Sequence, residues 1–320
     1  MPNSSPITIV SAADDKFAMP LAVTLYSALA NHEGPEPLHF YVIDGGISKE
    51  KKRHMARILD ARTTHLTWLP APQDGSVYEL TTTYYLSTAA YFRILIPDLL
   101  PDDVHKALYV DADVLVLEAI RDLWNHSLGE APLAAVPDYY AQTVTHFISE
   151  DQPLAIPDYE ERGLDPDTRC FNSGVMLMNL DVWRRESLAG QIIDYLRNLD
   201  ASNIIADQTG LNAICAERWK KLDLRWNVQD AIFLRRDEFS SGPLGNLSAE
   251  KQHLLMNDPS ILHFTGSQKP WHGHCRHPQK NLFARYLRKS GWFSTPRWLF
   301  WRMNLLRQHL QIRVREILHG

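Results

Sequence analysis

The chain has 320 residues, of which 45% are hydrophobic and 22% charged, enough apolar material for one large globular domain or two smaller ones. Its formal net charge of -5 gives no overall basic footprint, which argues against nucleic acid as the main partner. Three widely spaced cysteines, no basic-then-apolar run at the N-terminus and no stretch of about 18 consecutive apolar residues predict a reduced, cytoplasmic protein that does not span a bilayer.

The first 70 residues alternate between strand and helix patterns. Three segments have the pattern of buried strands: 7–10, 38–44 and 64–69. Between them, Pro20 suits the first turn of a helix that ends near Asn31, and Ser48 is placed to cap a helix over 49–59. This βαβαβ order predicts a parallel sheet with helices on both faces, where ligands bind beyond the carboxyl ends of the strands.

Further helices and strands are predicted along the rest of the chain. In chain order we expect a helix over about 84–96, a strand ending at Asp111, a strand exit at 131–138, a strand over 173–180, one helix over 181–199, a helix over 206–217 and a strand over 261–265. The segment 139–170 interrupts this order and is polar and rich in Asp, Glu, Pro and Tyr. Long insertions of this kind usually carry function or mobility.

Residues 109–117, YVDADVLVL, place two carboxylates in an otherwise apolar run. A buried ionised carboxylate is costly unless it is paired or bound to a metal. Because side chains alternate along an extended segment, Asp111 and Asp113 should point the same way, so their oxygens can converge on one cation. Mg²⁺ and Mn²⁺ prefer such oxygens and commonly bridge to phosphates, so the pair predicts a cation site completed by a nucleotide diphosphate.

Two alternatives exist for this pair of aspartates. A short D-x-D also occurs by chance in solvated turns, but the apolar residues on both sides favour the ligand edge of a sheet. Haloacid dehalogenase-like phosphatases also begin with a D-x-D at a strand end. Here, however, over a hundred residues precede the motif and no comparable acidic pair follows at a later strand end, so this alternative is disfavoured.

Six segments occur in a fixed order over roughly residues 7–275. They are AADDKF (12–17), AAYFRILIPDLLP (89–101), LYVDADVLVL (108–117), FNSGVMLMNL (171–180), DQTGLNAI (207–214) and LHFTGSQKPW (262–271). Together they resemble glycosyltransferase family 8, whose members include bacterial galactosyl- and glucosyltransferases of lipopolysaccharide assembly and glycogenin. The resemblance implies an α/β protein of GT-A fold with a Rossmann-like mixed sheet flanked by helices, a UDP-sugar donor, a Mn²⁺-type cation and retention of anomeric configuration.

The resemblance also implies which residues bind the cation and the diphosphate. Asp111 and Asp113 would be metal ligands for Mn²⁺ or Mg²⁺, with His263 as the third. A lone histidine in an apolar strand is more often a hydrogen-bonded core residue, but the GSQKPW segment that follows favours ligation. Gly266 would let the backbone approach the diphosphate, and Lys269 would offset its negative charge.

Two matches concern the rest of the nucleotide. Asp14 matches the position that contacts the uridine, although an acid before a helix is also a common turn or capping residue. Lys16 departs from the Asn-like residue of some members, which puts its own role in doubt. Arg93 matches an arginine that contacts donor phosphate or sugar, whereas an arginine on a helix surface is ordinarily solvated or ion-paired. We favour the functional interpretation for Arg93.

The FNSG and DQTG segments would form the donor-sugar side. Asn172 would hydrogen-bond a sugar hydroxyl, and Asp207 would orient sugar hydroxyls. Gln208 lies where the family places the group on the far face of the anomeric carbon. Because an amide oxygen is a poor nucleophile, we favour a same-face mechanism in which the departing diphosphate helps to deprotonate the acceptor. Covalent catalysis is the alternative.

The segment HGHCRH (272–277) suggests a zinc site, since it contains three histidines and a cysteine. These candidates are packed too closely to match the usual zinc-ligand spacings. We therefore predict that this segment is a loop that helps to close over UDP.

The C-terminal segment 276–320 is predicted as a basic helical region after a GT-A domain over 1–275, in which 139–170 is a variable acceptor-side insertion. Within it, 292–318 carries five arginines against one acid, with interleaved Trp and Leu and apolar positions near helical spacing. One interpretation is a helix docked on the core. The other, which we favour, is that 292–320 lies on a membrane surface and attracts anionic lipid.

The sequence thus predicts a cytoplasmic enzyme, peripheral on the inner face of the membrane. It would transfer galactose or glucose from a UDP-hexose, with retention, to a glycan or lipid-linked glycan acceptor. The alternatives are a non-catalytic UDP-sugar-binding protein and a protein O-glycan glucosyl- or galactosyltransferase. The intact trio of Asp111, Asp113 and His263 argues against loss of catalysis.

Overall fold

The computed structural model describes most of the chain. The described ranges are 5–60, 64–72, 77–80, 88–145, 155–200, 206–233 and 247–319. Two predictions fall partly outside them: the expected helix over 84–96 includes 84–87, and the expected insertion over 139–170 includes 146–154.

The described strands form two sheets. They are β1 (Ile7–Ala13), β2 (Leu38–Asp44), β3 (Thr64–Pro70), β4 (Lys106–Val110), β5 (Val114–Val116), β6 (Leu133–Pro137), β7 (Phe171–Asn179), β8 (Lys220–Lys221), β9 (Val228–Gln229) and β10 (Ile261–His263). Seven form the central sheet in the order β3-β2-β1-β4-β7-β6-β8, and three form a small sheet in the order β5-β10-β9. In the central sheet β7 runs antiparallel to β4 and β6, whereas the other pairs are parallel. The predicted mixed α/β sheet is confirmed.

Helices cover both faces of the central sheet. The described α-helices are α1 (Ala18–Ala30), α2 (Lys49–Ile58), α3 (Ile96–Leu99), α4 (Arg121–Trp124), α5 (Leu180–Arg185), α6 (Leu188–Asn198), α7 (Ala206–Cys215), α8 (Ala249–Asn257), α9 (Lys280–Ser290) and α10 (Thr295–His319). Because side chains alternate along a strand, β1 contributes to two cores. Ile9 packs in the cluster that contains Leu21 of α1, and Val10 packs in the cluster that contains Tyr91 on the other face.

The D-x-D segment is a turn, which corrects the expectation of an extended segment. Residues 111–113 lie between β4 and β5, where the chain leaves the large sheet for the small one. The backbone N–H of Asp111 donates to the carbonyl of Gly174 at 2.8 Å. From the other side, the buried hydroxyl of Thr24 lies 3.0 Å from the carbonyl of Ala112 and 2.8 Å from that of Val114. Helix α1 and strand β7 therefore fix the turn.

Three local expectations are wrong in detail. The single helix expected over 181–199 is two helices, α5 and α6, because Ser187 between them adopts a left-handed backbone with φ of 53°. Ser48 precedes α2 with extended backbone, but its side chain makes no capping hydrogen bond. The described part of the helix expected over 84–96 is a 3₁₀-helix (Thr88–Leu95) followed by the short α3.

Helix α9 lies within the helical region predicted over 276–320, and it packs in the main core, the cluster that contains Ile9 and Leu21. Phe283 and Leu287 are buried in the same cluster as α1, and the side-chain amide of Asn31 donates to the hydroxyl of Tyr286 at 2.7 Å. The boundary between residues 275 and 276 stays a prediction. Cys170, Cys215 and Cys275 are free and buried.

Helix α10 confirms the predicted helical tail, with two unlike faces. Trp298, Trp301 and Leu305 are half-buried, and Trp301 packs against the main core. The opposite face leaves large apolar side chains exposed: Leu299, Phe300, Met303, Leu306 and Leu310. We call these five residues the exposed stripe. Within the described ranges, none of the helices combines the length and hydrophobicity needed to span a bilayer.

Candidate active site

Asp111, Asp113 and His263 converge where the two sheets meet. Their nearest ligand atoms all lie within 4.8 Å of one another. Nε2 of His263 is 3.6 Å from Oδ2 of Asp111 and 3.4 Å from Oδ1 of Asp113. A Cβ at Gly174 would collide with the His263 ring and lie 2.7 Å from Oδ2 of Asp111, so a glycine is needed beside this space. Two carboxylates and one imidazole fit a divalent cation such as Mn²⁺.

The orientation of His263 is set by Asn227, which the sequence interpretation missed. Oδ1 of Asn227 is 3.0 Å from Nδ1 of His263, and its Nδ2 donates to Oδ1 of Asn172 at 2.9 Å. With its amide nitrogen committed to Asn172, Asn227 accepts from Nδ1–H, so the lone pair on Nε2 faces the two carboxylates. Such a partner fixes the tautomer that a metal ligand needs. Asn227 is fully buried and belongs to a short 3₁₀-helix (Leu224–Asn227) before β9.

Arg93 is buried and ion-paired with two acids, so it is not solvated, and the ion-paired form of the alternative agrees with the structure. Its NH2 is 3.0 Å from Oδ1 of Asp111, and its Nε is 3.1 Å from Oδ2 of Asp207. Burial alone would lower the pKa of Arg93, but the two carboxylates outweigh it and hold that pKa above its usual range. Burial, assisted by Asp111 and opposed by Arg93, raises the pKa of Asp207. The predicted donor contact of Arg93 stays a prediction.

Lys269 forms an ion pair with a candidate cation ligand. Its Nζ donates to Oδ2 of Asp113 at 2.6 Å and to the carbonyl of Phe264 at 2.6 Å. Burial would raise the pKa of Asp113, but Lys269 and then His263 outweigh it and hold that pKa well below its usual range. Asp113 is therefore ionised and presents its other oxygen, Oδ1, toward His263.

A polar network connects the predicted sugar-side residues through Asp138, which the sequence interpretation did not single out. Oδ2 of Asp138 accepts from Nδ2 of Asn172 at 2.9 Å and from Nε2 of Gln208 at 3.1 Å. Oδ1 accepts two backbone N–H groups, from Tyr140 and Ala141. The position of Asp138 could have indicated a role at the site, because it directly follows β6 at the same edge of the sheet as Asp111.

Two predicted nucleotide contacts have local structural partners. Oδ1 of Asp14 accepts the backbone N–H groups of Lys16 and Phe17, so Asp14 is a turn acid just beyond β1. The N–H of Gly266 donates to Oδ2 of Asp230 at 2.9 Å, and a Cβ at Gly266 would lie 2.7 Å from that oxygen. Close packing on Asp230 therefore already accounts for this glycine. The roles of both residues toward a nucleotide stay predictions.

Asp230 faces His277 of the HGHCRH segment. Oδ1 of Asp230 is 3.3 Å from Nε2 of His277, whose Nδ1 accepts the N–H of Gln279. Burial raises the pKa of Asp230 to about 6 and lowers the pKa of His277 to about 4. Near neutral pH the pair is therefore a carboxylate beside a neutral imidazole that carries its proton on Nε2. These two atoms face each other without forming a hydrogen bond, and the segment from Gly266 to His277 is bonded to Asp230 through the N–H of Gly266.

Comparison with known proteins assigns the family. The model of glycosyl transferase family 8 matches residues 8–275. The chain belongs to glycosyltransferase family 8. This family 8 chain is 30% identical over 288 residues to general stress protein A of Bacillus subtilis (strain 168), covering 89% of this chain and 94% of that protein. It is 25% identical over 287 residues to the lipopolysaccharide 1,3-galactosyltransferase of Salmonella typhimurium (strain LT2), covering 89% and 78%.

The solved structures agree on the fold of this glycosyltransferase. Galactosyltransferase LgtC in complex with donor and acceptor sugar analogs matches with a TM-score of 0.74 at 23% sequence identity, covering 92% of this chain and 100% of that one. The predicted GT-A fold is confirmed. The six motifs of the family 8 resemblance lie within the matched residues or directly beside them.

We predict that Asn227→Leu weakens Mn²⁺ binding by this glycosyltransferase about 10- to 100-fold, because His263 loses the partner that fixes its tautomer and ring orientation. Electron paramagnetic resonance of free Mn²⁺ measures the affinity directly. Asn257→Leu is a matched control, since Asn257 also contacts a histidine, His253, but on the exposed helix α8. An unchanged affinity in a folded Asn227→Leu protein would contradict the proposed orientation of His263.

Proposed function

We propose that the protein is a retaining, metal-dependent glycosyltransferase that transfers galactose or glucose from a UDP-hexose to a glycan or lipid-linked glycan. The observation that carries the proposal is the convergence of Asp111, Asp113 and His263 at the ligand edge of a family 8 fold. Support comes from a relative named lipopolysaccharide 1,3-galactosyltransferase and from a structural neighbour described with donor and acceptor sugar analogs.

The donor diphosphate would bind beside the Asp111–Asp113–His263 cluster. A bound Mn²⁺ or Mg²⁺ would supply a Lewis acid that neutralises the phosphates as UDP departs. Arg93, already fixed between Asp111 and Asp207, holds the Asp111 carboxylate in place. Gly266 and Lys269 would face the phosphates, and Asp14 at the end of β1 would contact the uridine.

The transfer step would take place beside Gln208. The bond from the anomeric carbon to the diphosphate oxygen breaks, the acceptor oxygen forms its bond on the same face, and the acceptor proton passes to the departing diphosphate. The carboxamide of Gln208 is held by Asp138 and by the N–H of Ser173, 3.2 Å from its Oε1. Oε1 would stabilise the positive charge on the sugar. Asn172 and Asp207 would hold sugar hydroxyls.

Covalent catalysis remains the alternative, and the described carboxylates disfavour it. Asp138 accepts four hydrogen bonds and is 3% exposed, so its lone pairs are committed. Asp207 is ion-paired with Arg93 and accepts the hydroxyl of Ser173. A nucleophile needs a free lone pair aimed at the reacting carbon.

We also propose that the protein works in the cytoplasm on the inner face of the membrane, with the exposed stripe of α10 in the headgroup region. Trp298 is half-buried and Trp301 packs against the main core, so neither tryptophan belongs to the exposed stripe. Charge supports the proposal, because α10 carries five arginines against one acid, Glu316. Each basic residue near an anionic surface contributes about 1 kcal/mol.

The first prediction concerns donor and metal. With UDP-galactose and UDP-glucose as separate substrates, NMR should detect slow donor hydrolysis of at least one in Mn²⁺ and none in EDTA. The first sugar released should be the α-anomer. Asp113→Asn should abolish the reaction, whereas Asp122→Asn, on the exposed surface of α4, should not. A first-formed β-anomer would overturn retention, and metal-dependent UDP binding without hydrolysis or transfer would favour the non-catalytic alternative.

The second prediction concerns Gln208. Gln208→Ala should lower turnover roughly 10- to 100-fold while the Kd for the UDP-hexose donor changes less than about threefold, because the contribution of Gln208 grows with charge at the anomeric carbon. Steady-state kinetics and calorimetry give the two quantities. Gln191→Ala, an exposed glutamine of α6, is the control. Equal losses in affinity for the UDP-hexose donor and in turnover would mean that Gln208 acts only in binding.

The third prediction concerns the exposed stripe. Replacing Leu299, Met303, Leu306 and Leu310 together by Gln should weaken sedimentation with phosphatidylglycerol vesicles at least about a hundredfold, since burying one leucine-sized side chain contributes about 1.5–3 kcal/mol. Thermal stability should hold because these side chains are exposed. Leu254→Gln, on an exposed part of α8, is the control. Equal sedimentation of the fourfold variant and the parent would reject the membrane role.

A further inference from the structure

Lys269 has all of its hydrogen-bonding capacity committed beside the candidate cation site. Its ammonium donates to Oδ2 of Asp113 and to the carbonyl of Phe264, both at 2.6 Å, and lies 3.4 Å from the carbonyl of Thr265. The side chain is 11% exposed. An ammonium has three donors, so in this arrangement none is left for a phosphate. Its partner Asp113 is one of the three residues that would hold the cation.

The charged groups around the candidate cation site determine how the Lys269 ammonium affects the binding of a cation. Asp111, Asp113 and Asp207 carry three negative charges, and Arg93 and Lys269 offset two of them through the ion pairs described above. These five groups carry one net negative charge, and the Asp230 carboxylate is close enough to interact with Lys269, His263 and Asp113. A divalent cation that arrives alone would still meet the ammonium of Lys269, whereas a diphosphate bound together with the cation would offset that positive charge. Uncompensated buried charge is strongly unfavourable.

We propose that Lys269 couples the binding of the cation to the binding of the nucleotide diphosphate. Its charge opposes a cation that arrives alone, because the ammonium already neutralises Asp113. When a diphosphate arrives with the cation, the long side chain of Lys269 turns from Asp113 to the phosphates, and the two ligands balance each other's charge. This inference rests on the proposed UDP and metal site and adds the residue that makes their binding cooperative.

The backbone around Lys269 is compatible with such a movement of the side chain alone. The segment before it is held through the hydrogen bond from Gly266 to Asp230, and the N–H of His272 donates to the carbonyl of Lys269 at 2.9 Å. A lysine carries its charge on a flexible four-carbon stem, so its ammonium can exchange partners without a change in the fold. Because binding free energies are linked, the effect of UDP on the cation equals the effect of the cation on UDP.

The experiment measures Mn²⁺ affinity by electron paramagnetic resonance, without nucleotide and with saturating UDP. Without UDP, Lys269→Met should bind Mn²⁺ at least about tenfold more tightly than the parent, because a nearby positive charge has been removed. The increase in Mn²⁺ affinity caused by UDP should shrink by at least about tenfold. Lys269→Arg keeps the charge, so UDP should still increase its Mn²⁺ affinity by a larger factor than it does in Lys269→Met.

Controls separate this proposal from the proposed function. Lys106→Met removes a half-buried lysine whose ammonium donates to the carbonyl of Trp124, and it should match the parent. Lys269→Gln should change both affinities in the same direction as Lys269→Met, and it serves if the methionine variant does not fold. Two outcomes overturn the coupling. One is unchanged or weaker Mn²⁺ binding without UDP in both Lys269→Met and Lys269→Gln. The other is tighter Mn²⁺ binding in these variants together with an unchanged effect of UDP on Mn²⁺ affinity. A parent protein that does not bind Mn²⁺ would instead overturn the proposed function.

Discussion

The buried ion pairs between Arg93 and its two acids are the interaction on which the rest of the site depends. Asp111 directly follows the strand β4 at the centre of the sheet, Asp207 lies in the first turn of α7, and Arg93 comes from a 3₁₀-helix that precedes both in the chain. Without Arg93, two carboxylates would remain close together and poorly solvated, and breaking such a pair costs about 3–5 kcal/mol. The arginine thus holds three separate segments in one arrangement before any ligand binds.

The small sheet also holds residues from separate parts of the chain in one arrangement at the site. Strand β10 pairs antiparallel with β5 and parallel with β9, which brings His263 to the turn that contains Asp113 and brings Asn227 behind the ring. The histidine and its partner come from distant parts of the chain, yet the register between two short strands sets their separation. The pairing of these strands therefore sets where His263 and Asn227 lie at the cation site, and their side chains need little further adjustment.

The sequence predicted the parts of the site that are carried by local patterns. Asp111 and Asp113 follow an apolar run at a strand end, so a cation site at that edge could be expected, whereas His263 was implied as the third ligand by the resemblance to glycosyltransferase family 8. Asn227 could not be expected, because it precedes a two-residue strand without periodicity and its function lies in a contact with a residue 36 positions away. The break at Ser187 was also missed, because a serine in a left-handed conformation lacks the glycine or proline signal that usually marks the end of a helix.

Charge is distributed unevenly along the chain, which affects how the molecule approaches a charged surface. A net charge of -5 suggests an acidic protein that cation-exchange resins and polyanions would repel. The stretch from Pro259 to Arg315 departs from that average, since it holds eleven basic residues and no acids and includes most of α10. A local basic segment is attracted to a negatively charged surface even when the whole molecule is acidic, so α10 should be favoured in the first contact with such a surface. Orientation would thus be selected during diffusion, before any apolar side chain is buried.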